Sequence, residues 1–366
     1  MKKTITLLFG RNPKSSLLLT ILLLLFFEHT HAQISILNIG SQVPIITGFS
    51  TFAQTTRRCN NNSGITGVNV YATIQAAHDA AVAGDIIYVE SSLTSYGNLT
   101  CSKSLTMIGN GYFLDQNTNV SFDTRNSNLG NVIFLAGSAN SFLKGMLTQT
   151  VDLNNVSNIT INRCKTNTIR FNFNISASAP SSNHTISQCL IGSSLFGSNS
   201  TTTNGGGKNC IITNNIVAGG GISDFENSVI QNNTIMSPGS TGGSGFNGCT
   251  VTNNIVSSGT TGGSSTALIT GGGNNISNNI MLGNTYTFPA GSGNINNANL
   301  ATTFLVANPN SSNPDKDFQL AVGSPAIGIG TGGTNTGAFF GGGKSLYFVG
   351  FTGLSNHDKL HFNGYG

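Results

Sequence analysis

Charged side chains carry most acid–base chemistry, and this chain of 366 residues has few of them. Asp, Glu, Lys and Arg make up 8% of the sequence, against about 25% in a typical soluble protein. Between Phe171 and Pro314 the only charged residues are Lys208, Asp224 and Glu226. Lyases and hydrolases need clustered acidic and basic groups. We therefore expect no ordinary site of either kind in that part of the chain.

The other charged residues lie mostly earlier in the chain, and three of them define a candidate catalytic constellation. Arg163 and Lys165 flank Cys164, so both are expected to point outward on one turn, with Asp152 about one repeat away. A lyase needs a basic side chain and carboxylates that hold calcium, so Ca²⁺ is expected as a cofactor only if this interpretation holds. The alternative is a solvated surface without catalysis.

Cysteine and histidine give no sign of a metal site. No Cys–Cys or Cys–His spacing is typical of zinc, and the histidines of the expected mature chain are scattered, at His78, His184, His357 and His361. An even number of cysteines permits disulfides in an exported protein; they are Cys59, Cys101, Cys164, Cys189, Cys210 and Cys249. Cys164 and Cys189 are expected either as small buried residues or as a stacked disulfide.

A short motif with paired asparagines recurs through the middle of the chain. Its clearest copies are "IITNNIV" (211–217), "VIQNNTI" (229–235), "TVTNNIV" (250–256) and "NISNNIM" (275–281), and two weaker copies, "TINRC" (160–164) and "TISQC" (185–189), precede them. Aligned on positions 162, 187, 213, 231, 252 and 277, the copies are 18 to 26 residues apart. A constant strand with variable insertions predicts a β-solenoid with one coil per repeat.

The alignment gives each position in the coil a role. One column is β-branched throughout and should face the core: Ile161, Ile186, Ile212, Ile230, Val251 and Ile276. Another holds the second asparagine of each pair, where stacked amides can hydrogen-bond as a ladder: Cys164, Cys189, Asn215, Asn233, Asn254 and Asn279. The first asparagine suits the left-handed backbone of a bend. The rival interpretation is a sugar or calcium site, although the repeats lack the aspartates of calcium-binding repeats.

The start of the chain has the features of an export signal. Residues 1–32 combine a basic start, the apolar run Leu17–Phe27 and a final Ala32, which is typical of a cleaved signal peptide; an uncleaved membrane anchor is the alternative. We divide the rest into a linker with the first strands (33–66), a β-helix domain (67–342) and a tail (343–366). The mature chain would carry 12 basic and 11 acidic residues, so it has no charge pattern for nucleic acid.

A helical pattern precedes the repeats. Ile74, Ala77 and Ala81 recur at helical spacing, Thr73 can cap the start, and Gly84 is expected to end the helix. Such a helix can cover the open end of a solenoid.

The segment "TIQAAHDAAVAGDIIYVESSLTSYGNLTCSKSLTMIGNG" (73–111) resembles the opening of secreted bacterial right-handed parallel β-helix proteins, which share their fold with pectate lyases. The segment "DFQLAVGSPAIGIGTGGTNTGAFFGG" (317–342) resembles their closing segment, with Asn335 and Thr336 where an Asp is usual. The resemblance covers residues 67–342. It implies an all-β fold, a right-handed parallel β-helix of roughly 10–13 coils with a short N-terminal capping helix, and it implies little about chemistry.

Three functions follow as hypotheses. The first is a non-catalytic binding, adhesive or scaffold protein, exported to the medium, the cell surface or the periplasm, monomeric and without a cofactor, whose partner could be a polysaccharide or cell-surface glycan. The second is a polysaccharide lyase or glycoside hydrolase acting on an acidic glycan through Asp152, Arg163 and Lys165, which rests mostly on fold analogy. The third is ice binding, which the irregular outward column Asn162, Ser187, Thr213, Gln231, Thr252 and Ser277 disfavours.

Overall fold

The computed structural model divides the chain into two units, Met1–Thr55 and Thr56–Gly366. It describes residues 32–38, 44–51, 54–112, 114, 123–172, 181–197, 207–237, 245–258, 271–283, 286–307, 309, 312 and 314–339. The expected signal peptide, apart from Ala32, and the expected tail 343–366 lie outside the described residues. In the first unit, β1 (Ala32–Asn38) and β2 (Pro44–Thr51) form an antiparallel pair.

The second unit is an all-β parallel β-helix, as predicted. Its largest described sheet, sheet 1, has eleven strands in the spatial order β4-β3-β5-β7-β9-β11-β14-β18-β22-β24-β26. Numbered in chain order, they are β3 (Thr56–Cys59), β4 (Val70–Tyr71), β5 (Ile86–Val89), β7 (Thr106–Gly109), β9 (Phe142–Lys144), β11 (Thr160–Asn162), β14 (Thr185–Ser187), β18 (Ile211–Thr213), β22 (Val229–Gln231), β24 (Thr250–Thr252) and β26 (Asn275–Ser277). Strand β3 lies before residue 67, where the sequence analysis placed the start of the β-helix.

Two further sheets complete most coils. The seven described strands of sheet 2 are β12 (Lys165–Thr166), β15 (Leu190–Ile191), β19 (Ile216–Val217), β23 (Thr234–Ser237), β25 (Ile255–Ser258), β27 (Ile280–Leu282) and β28 (Ile295–Ala298). The six described strands of sheet 3 are β6 (Leu99–Cys101), β8 (Val132–Phe134), β10 (Thr150–Leu153), β13 (Thr168–Phe171), β16 (Leu195–Phe196) and β20 (Ile222–Ser223). A small two-stranded sheet pairs β17 (Gly207–Lys208) with β21 (Phe225–Glu226).

The inward column predicted from the repeats is confirmed. Ile161, Ile186 and Ile212 are register partners on neighbouring strands and are fully buried. The column continues through Ile230, Val251 and Ile276. Because the middle residue of each three-residue strand points inward, the residues on either side of it point outward.

The asparagine ladder is also confirmed, and it is one residue longer than predicted. Each Nδ2 donates to the next Oδ1, from Asn215 to Asn233 (3.0 Å), to Asn254 (3.1 Å), to Asn279 (3.0 Å) and to Asn294 (3.2 Å). The first four amides are fully buried. Their hydrogen bonds are made within the protein, so this column is structural and does not bind sugar or calcium.

The first asparagine of each pair forms the bend between sheets 1 and 2. Asn214, Asn232, Asn253 and Asn278 have φ values of 59°, 55°, 59° and 57°, in the left-handed region that asparagine tolerates better than most residues. All six cysteines are buried free thiols, so Cys164 and Cys189 occupy the ladder column without a disulfide.

A short helix covers the N-terminal end of the core. Helix α1 (Ile74–Ala80) begins as predicted, since Thr73 Oγ1 accepts a hydrogen bond from the Ala76 N–H (3.2 Å), and Ile74 and Ala77 are fully buried. The helix stops before Gly84, which was expected to end it.

The early end of α1 has a visible cause. The Lys103 ammonium donates to the carbonyl oxygens of His78, Asp79 and Ala81 at 2.9–3.0 Å. It therefore satisfies carbonyl groups that a longer helix would use, and Gly84 instead takes a left-handed conformation in the turn that follows. His78 is buried at the same place, and its Nε2 accepts from the Ser102 N–H at 3.1 Å.

The end of the described chain returns along the outer side of sheet 2. After α2 (Leu300–Thr303) and α3 (Pro314–Asp317), a segment that we call the strap, residues 318–339, packs on an outward apolar column that includes Ile216, Ile255 and Ile280. It also hydrogen-bonds the asparagine bends: the Thr331 N–H donates to Asn253 Oδ1 (3.0 Å), and the Gly337 N–H donates to the Asn253 carbonyl (2.9 Å). The strap thus shields the apolar outer face of sheet 2 from water.

Candidate binding surface

The outer face of sheet 1 is a polar surface with very few charges. Over the six strands from β11 to β26, its two outward rows contain no Asp, Glu, Lys or Arg, and all members except Thr252 are at least partly exposed. The members are Thr160, Thr185, Ile211, Val229, Thr250 and Asn275 in one row, and Asn162, Ser187, Thr213, Gln231, Thr252 and Ser277 in the other. We call this surface the long face.

The geometry of the long face follows from the coil. Neighbouring strands are about 4.8 Å apart, so six strands place hydroxyl, amide and methyl groups at regular steps along about 24 Å. Asn162 Nδ2 ties its first two coils by donating to Ser187 Oγ (2.9 Å) and to the Ser187 carbonyl (3.3 Å). Such a surface can form many weak contacts with an extended uncharged polymer.

The structure places Asp152 on a different surface. Asp152 lies in β10, on the outward side of sheet 3, and its carboxylate accepts two hydrogen bonds from Arg170, at 2.7 Å from Nε and 2.8 Å from Nη2. The side chains of Asp152 and Arg170 are 12% and 24% exposed. This two-point ion pair holds both groups in a fixed geometry.

Arg163 lies at the bend between sheets 1 and 2, and Lys165 is the first residue of β12 in sheet 2, on the other side of the buried Cys164. Arg163 has a φ of 51°, and its Nε donates to Gln188 Oε1 at 3.3 Å. Burial lowers the pKa of the Lys165 ammonium. Arg163 and Lys165 therefore lie two positions apart on one coil, whereas Asp152 lies in another sheet beside Arg170.

Most of the described carboxylates are held by cations. Arg57 pairs with Asp85, Arg58 with Glu90, Arg125 with Asp123, Arg170 with Asp152 and Lys208 with Glu226. On sheet 3, Asp152 and the Ser223–Asp224 corner are three strand steps apart, which is about 14 Å. Retaining and inverting hydrolases place their two carboxyl groups about 5–10 Å apart, so this pair does not match a hydrolase.

One cluster went unrecognised in the sequence analysis. Lys208, Asp224 and Glu226, the three charges of the charge-poor region, meet at the small two-stranded sheet, where Lys208 and Glu226 are register partners. Lys208 Nζ lies 2.8 Å from Glu226 Oε2, and Ser223 Oγ donates to Asp224 Oδ2 at 2.8 Å. The three residues were already visible as an isolated group of charges, but their convergence depends on the register of the coils.

Two searches of the described residues bear on metals and membranes. They contain no group of three His, Cys, Asp or Glu side chains placed to hold a metal ion. Among the helices of the same residues, none has both the length and the apolar character needed to cross a membrane.

No protein-family model matches this chain, and no curated protein matches it.

Proposed function

We propose that this protein is an exported or cell-surface β-helix that binds or scaffolds an extended polysaccharide and does not catalyse its breakdown. The observation that carries the proposal is the long face, whose two rows over six strands hold twelve side chains and no charge. Hydroxyl and amide groups exchange hydrogen bonds with sugar hydroxyls, and the methyl groups of Thr, Ile and Val contact the apolar faces of sugar rings. Contacts repeated along a chain add up to useful affinity without one deep pocket.

The absence of catalysis is proposed from the ion pair of Asp152 and from the positions of Arg163 and Lys165. The Asp152 carboxylate is already occupied by Arg170. The other candidates lie away from sheet 3, Arg163 at the bend after sheet 1 and Lys165 in β12 of sheet 2. Export is proposed from residues 1–32 alone, and a monomeric state remains part of the same proposal.

The first experiment measures binding and breakdown together. The chain from residue 33 onward is run by electrophoresis in gels that contain soluble β-glucan, xylan, galactomannan or polygalacturonate. It is also incubated with each polymer, with and without calcium, and assayed for reducing ends and for the absorbance of unsaturated uronides. We expect slower migration in at least one neutral polymer and no new ends. A calcium-dependent absorbance signal would instead establish a lyase and direct mutagenesis to Asp152, Arg163 and Lys165.

A charged pair of substitutions tests the long face itself. The double variant Thr185→Glu with Gln231→Glu should lose most of the retardation, because each new carboxylate must give up its water against an uncharged ligand. Thr66→Glu, which adds a charge on an exposed loop, is the control. With each mobility taken relative to a gel without polymer, it should be retarded as much as the wild type. Equal retardation of all three proteins would remove the long face from the proposal, and no retardation of the wild type in any polymer would overturn the proposal.

A further inference from the structure

The corner between sheet 3 and the small two-stranded sheet collects features that the long face lacks. We call it the Phe196 corner and define it by Phe196, Lys208, Ser223, Asp224 and Glu226. From Phe171 to Pro314 the chain has only three charged residues, and all three belong to this corner. A surface that needed charge only for solubility would distribute it along the coils.

An exposed aromatic ring stands beside these charges. Phe196 and Ser223 are register partners on β16 and β20, and Phe196 is 37% exposed. The Gly197 N–H donates to the Ser223 carbonyl at 2.8 Å. A Cβ on Gly197 would collide with the Asp224 carbonyl oxygen, so the backbone next to Phe196 touches Asp224 directly.

The charged groups of the corner are partly exposed and fixed in place, and the Ser223 hydroxyl behind them is buried. Lys208 and Glu226 are 35% and 41% exposed and form a 2.8 Å ion pair across the small sheet. Asp224 takes the left-handed bend between β20 and β21, with a φ of 65°, and accepts from Ser223 Oγ. Burial raises the pKa of the Asp224 carboxyl. The carboxylate acceptors thus lie on the turn and strand that directly follow the register partner of Phe196, and the ammonium donor lies on the strand paired with them.

This combination matches the chemistry of a sugar ring. A pyranose has an apolar face of C–H groups that stacks on an aromatic ring, and it has hydroxyl groups that donate to carboxylates. The three charges sum to one negative charge, so the corner disfavours uronates and favours neutral sugars. We propose that the Phe196 corner binds one neutral pyranose unit of a polysaccharide, with the ring on Phe196 and its hydroxyl groups on Asp224 and Glu226.

This inference rests on the proposed function for the class of ligand, but it names a discrete site away from the long face. The test uses the same gels with four further variants of the chain from residue 33 onward. Phe196→Ala and Phe196→Leu remove the aromatic face, and Asp224→Asn removes the charge of the acceptor. Leu135→Ala is the matched control, since Leu135 has the same 37% exposure as Phe196 and lies at the end of a sheet 3 strand. Circular dichroism verifies that each variant is folded.

We expect Phe196→Ala and Phe196→Leu to weaken retardation in a neutral polymer by about tenfold, which corresponds to the loss of one stacked ring. Asp224→Asn should weaken it as well, and Leu135→Ala should leave it unchanged. If the wild type is retarded and all corner variants behave like it, this inference fails while the proposed function stands. If the wild type binds no polymer, both fail, and preferential binding of polygalacturonate would overturn the choice of a neutral sugar.

Discussion

The coils of residues 160–191 and those of residues 211–281 have the same bend but fill it with different side chains. In the earlier coils Cys164 and Cys189 occupy the ladder column. Their Sγ atoms reach carbonyl oxygens of the preceding coil at 3.6 Å and 3.7 Å, and of their own coil at 3.4 Å and 3.3 Å. In the later coils the asparagine amides bond both neighbouring coils at 2.8–3.2 Å.

The adjacent turn position differs in the same way. The earlier coils have Arg163 and Gln188 there, with φ values of 51° and 55°, and the later coils have asparagine. The path of the chain is therefore set by stacking of the strands and packing of the inward column, which both regions share. The ladder adds stability and requires that each member have a partner, because an amide inside the coil cannot be left unpaired.

The largest expected effect comes from interrupting the ladder. Asn254→Ala should lower the free energy of unfolding by about 3–5 kcal/mol, because the buried Asn233 amide and N–H lose their acceptor and the Ile230 carbonyl loses its donor. Unfolding in urea, followed by circular dichroism, measures the loss.

The matched substitution in the other region is Cys189→Ala. It should lower the free energy of unfolding by only about 1 kcal/mol, because it removes one small buried group. The backbone N–H of residue 189, which donates to Asn215 Oδ1 at 2.9 Å, is retained. Equal losses in the two variants would show that the ladder amides contribute no more than packing.

The second expected effect is a loss of stability at low pH, which should arise in the earlier coils. His184 is fully buried, its ring meets the Phe171 ring edge-on, and burial lowers its pKa to about 4. The unfolded chain, with a histidine pKa near 6.5, then binds a proton that the folded chain does not bind. Stability should be complete above about pH 6.5 and should fall by on the order of 3 kcal/mol as the pH drops to about 4.

Urea unfolding at pH 7, 5.5 and 4.5 measures this dependence. The variant His184→Phe should be less stable at pH 7, since it loses the hydrogen bonds to the Ile159 N–H and to Ser181, and it should vary less with pH. A pH dependence that is the same in both proteins would assign acid sensitivity to other groups.

The smallest expected effect is a gain in stability. Gln188 holds a left-handed conformation that asparagine adopts more easily, by about 1 kcal/mol, but the shorter side chain gives up the 3.3 Å hydrogen bonds that Gln188 Oε1 accepts from Asn162 and Arg163. Gln188→Asn should therefore raise the free energy of unfolding by less than about 1 kcal/mol. Asn232→Gln, at the same turn position of a later coil, should produce a loss. Two changes of the same sign would contradict the assignment of these positions as bends that select for asparagine.

Much of the fold could be predicted because a solenoid repeats its contacts. The inward isoleucines, the ladder and the Thr73 cap each depend on residues that are close in sequence or one coil apart. Asn294 was missed because it lies only 15 positions after Asn279, outside the range of the other repeats. The candidate site was harder to predict from the sequence. The partner of Asp152 is Arg170, and nothing in the local sequence distinguishes Arg170 from Arg163.

The sequence by itself determined the parallel β-helix, its capping helix and its asparagine bends, because one periodic pattern specifies both the strand and its neighbours. Only the tertiary structure decided what lies on the outside. It placed the strap against Ile255, paired Arg170 with Asp152, and brought Phe196 next to Ser223. The physical reason is that outward contacts join segments separated by insertions of unequal length, and their meeting depends on the register of whole coils.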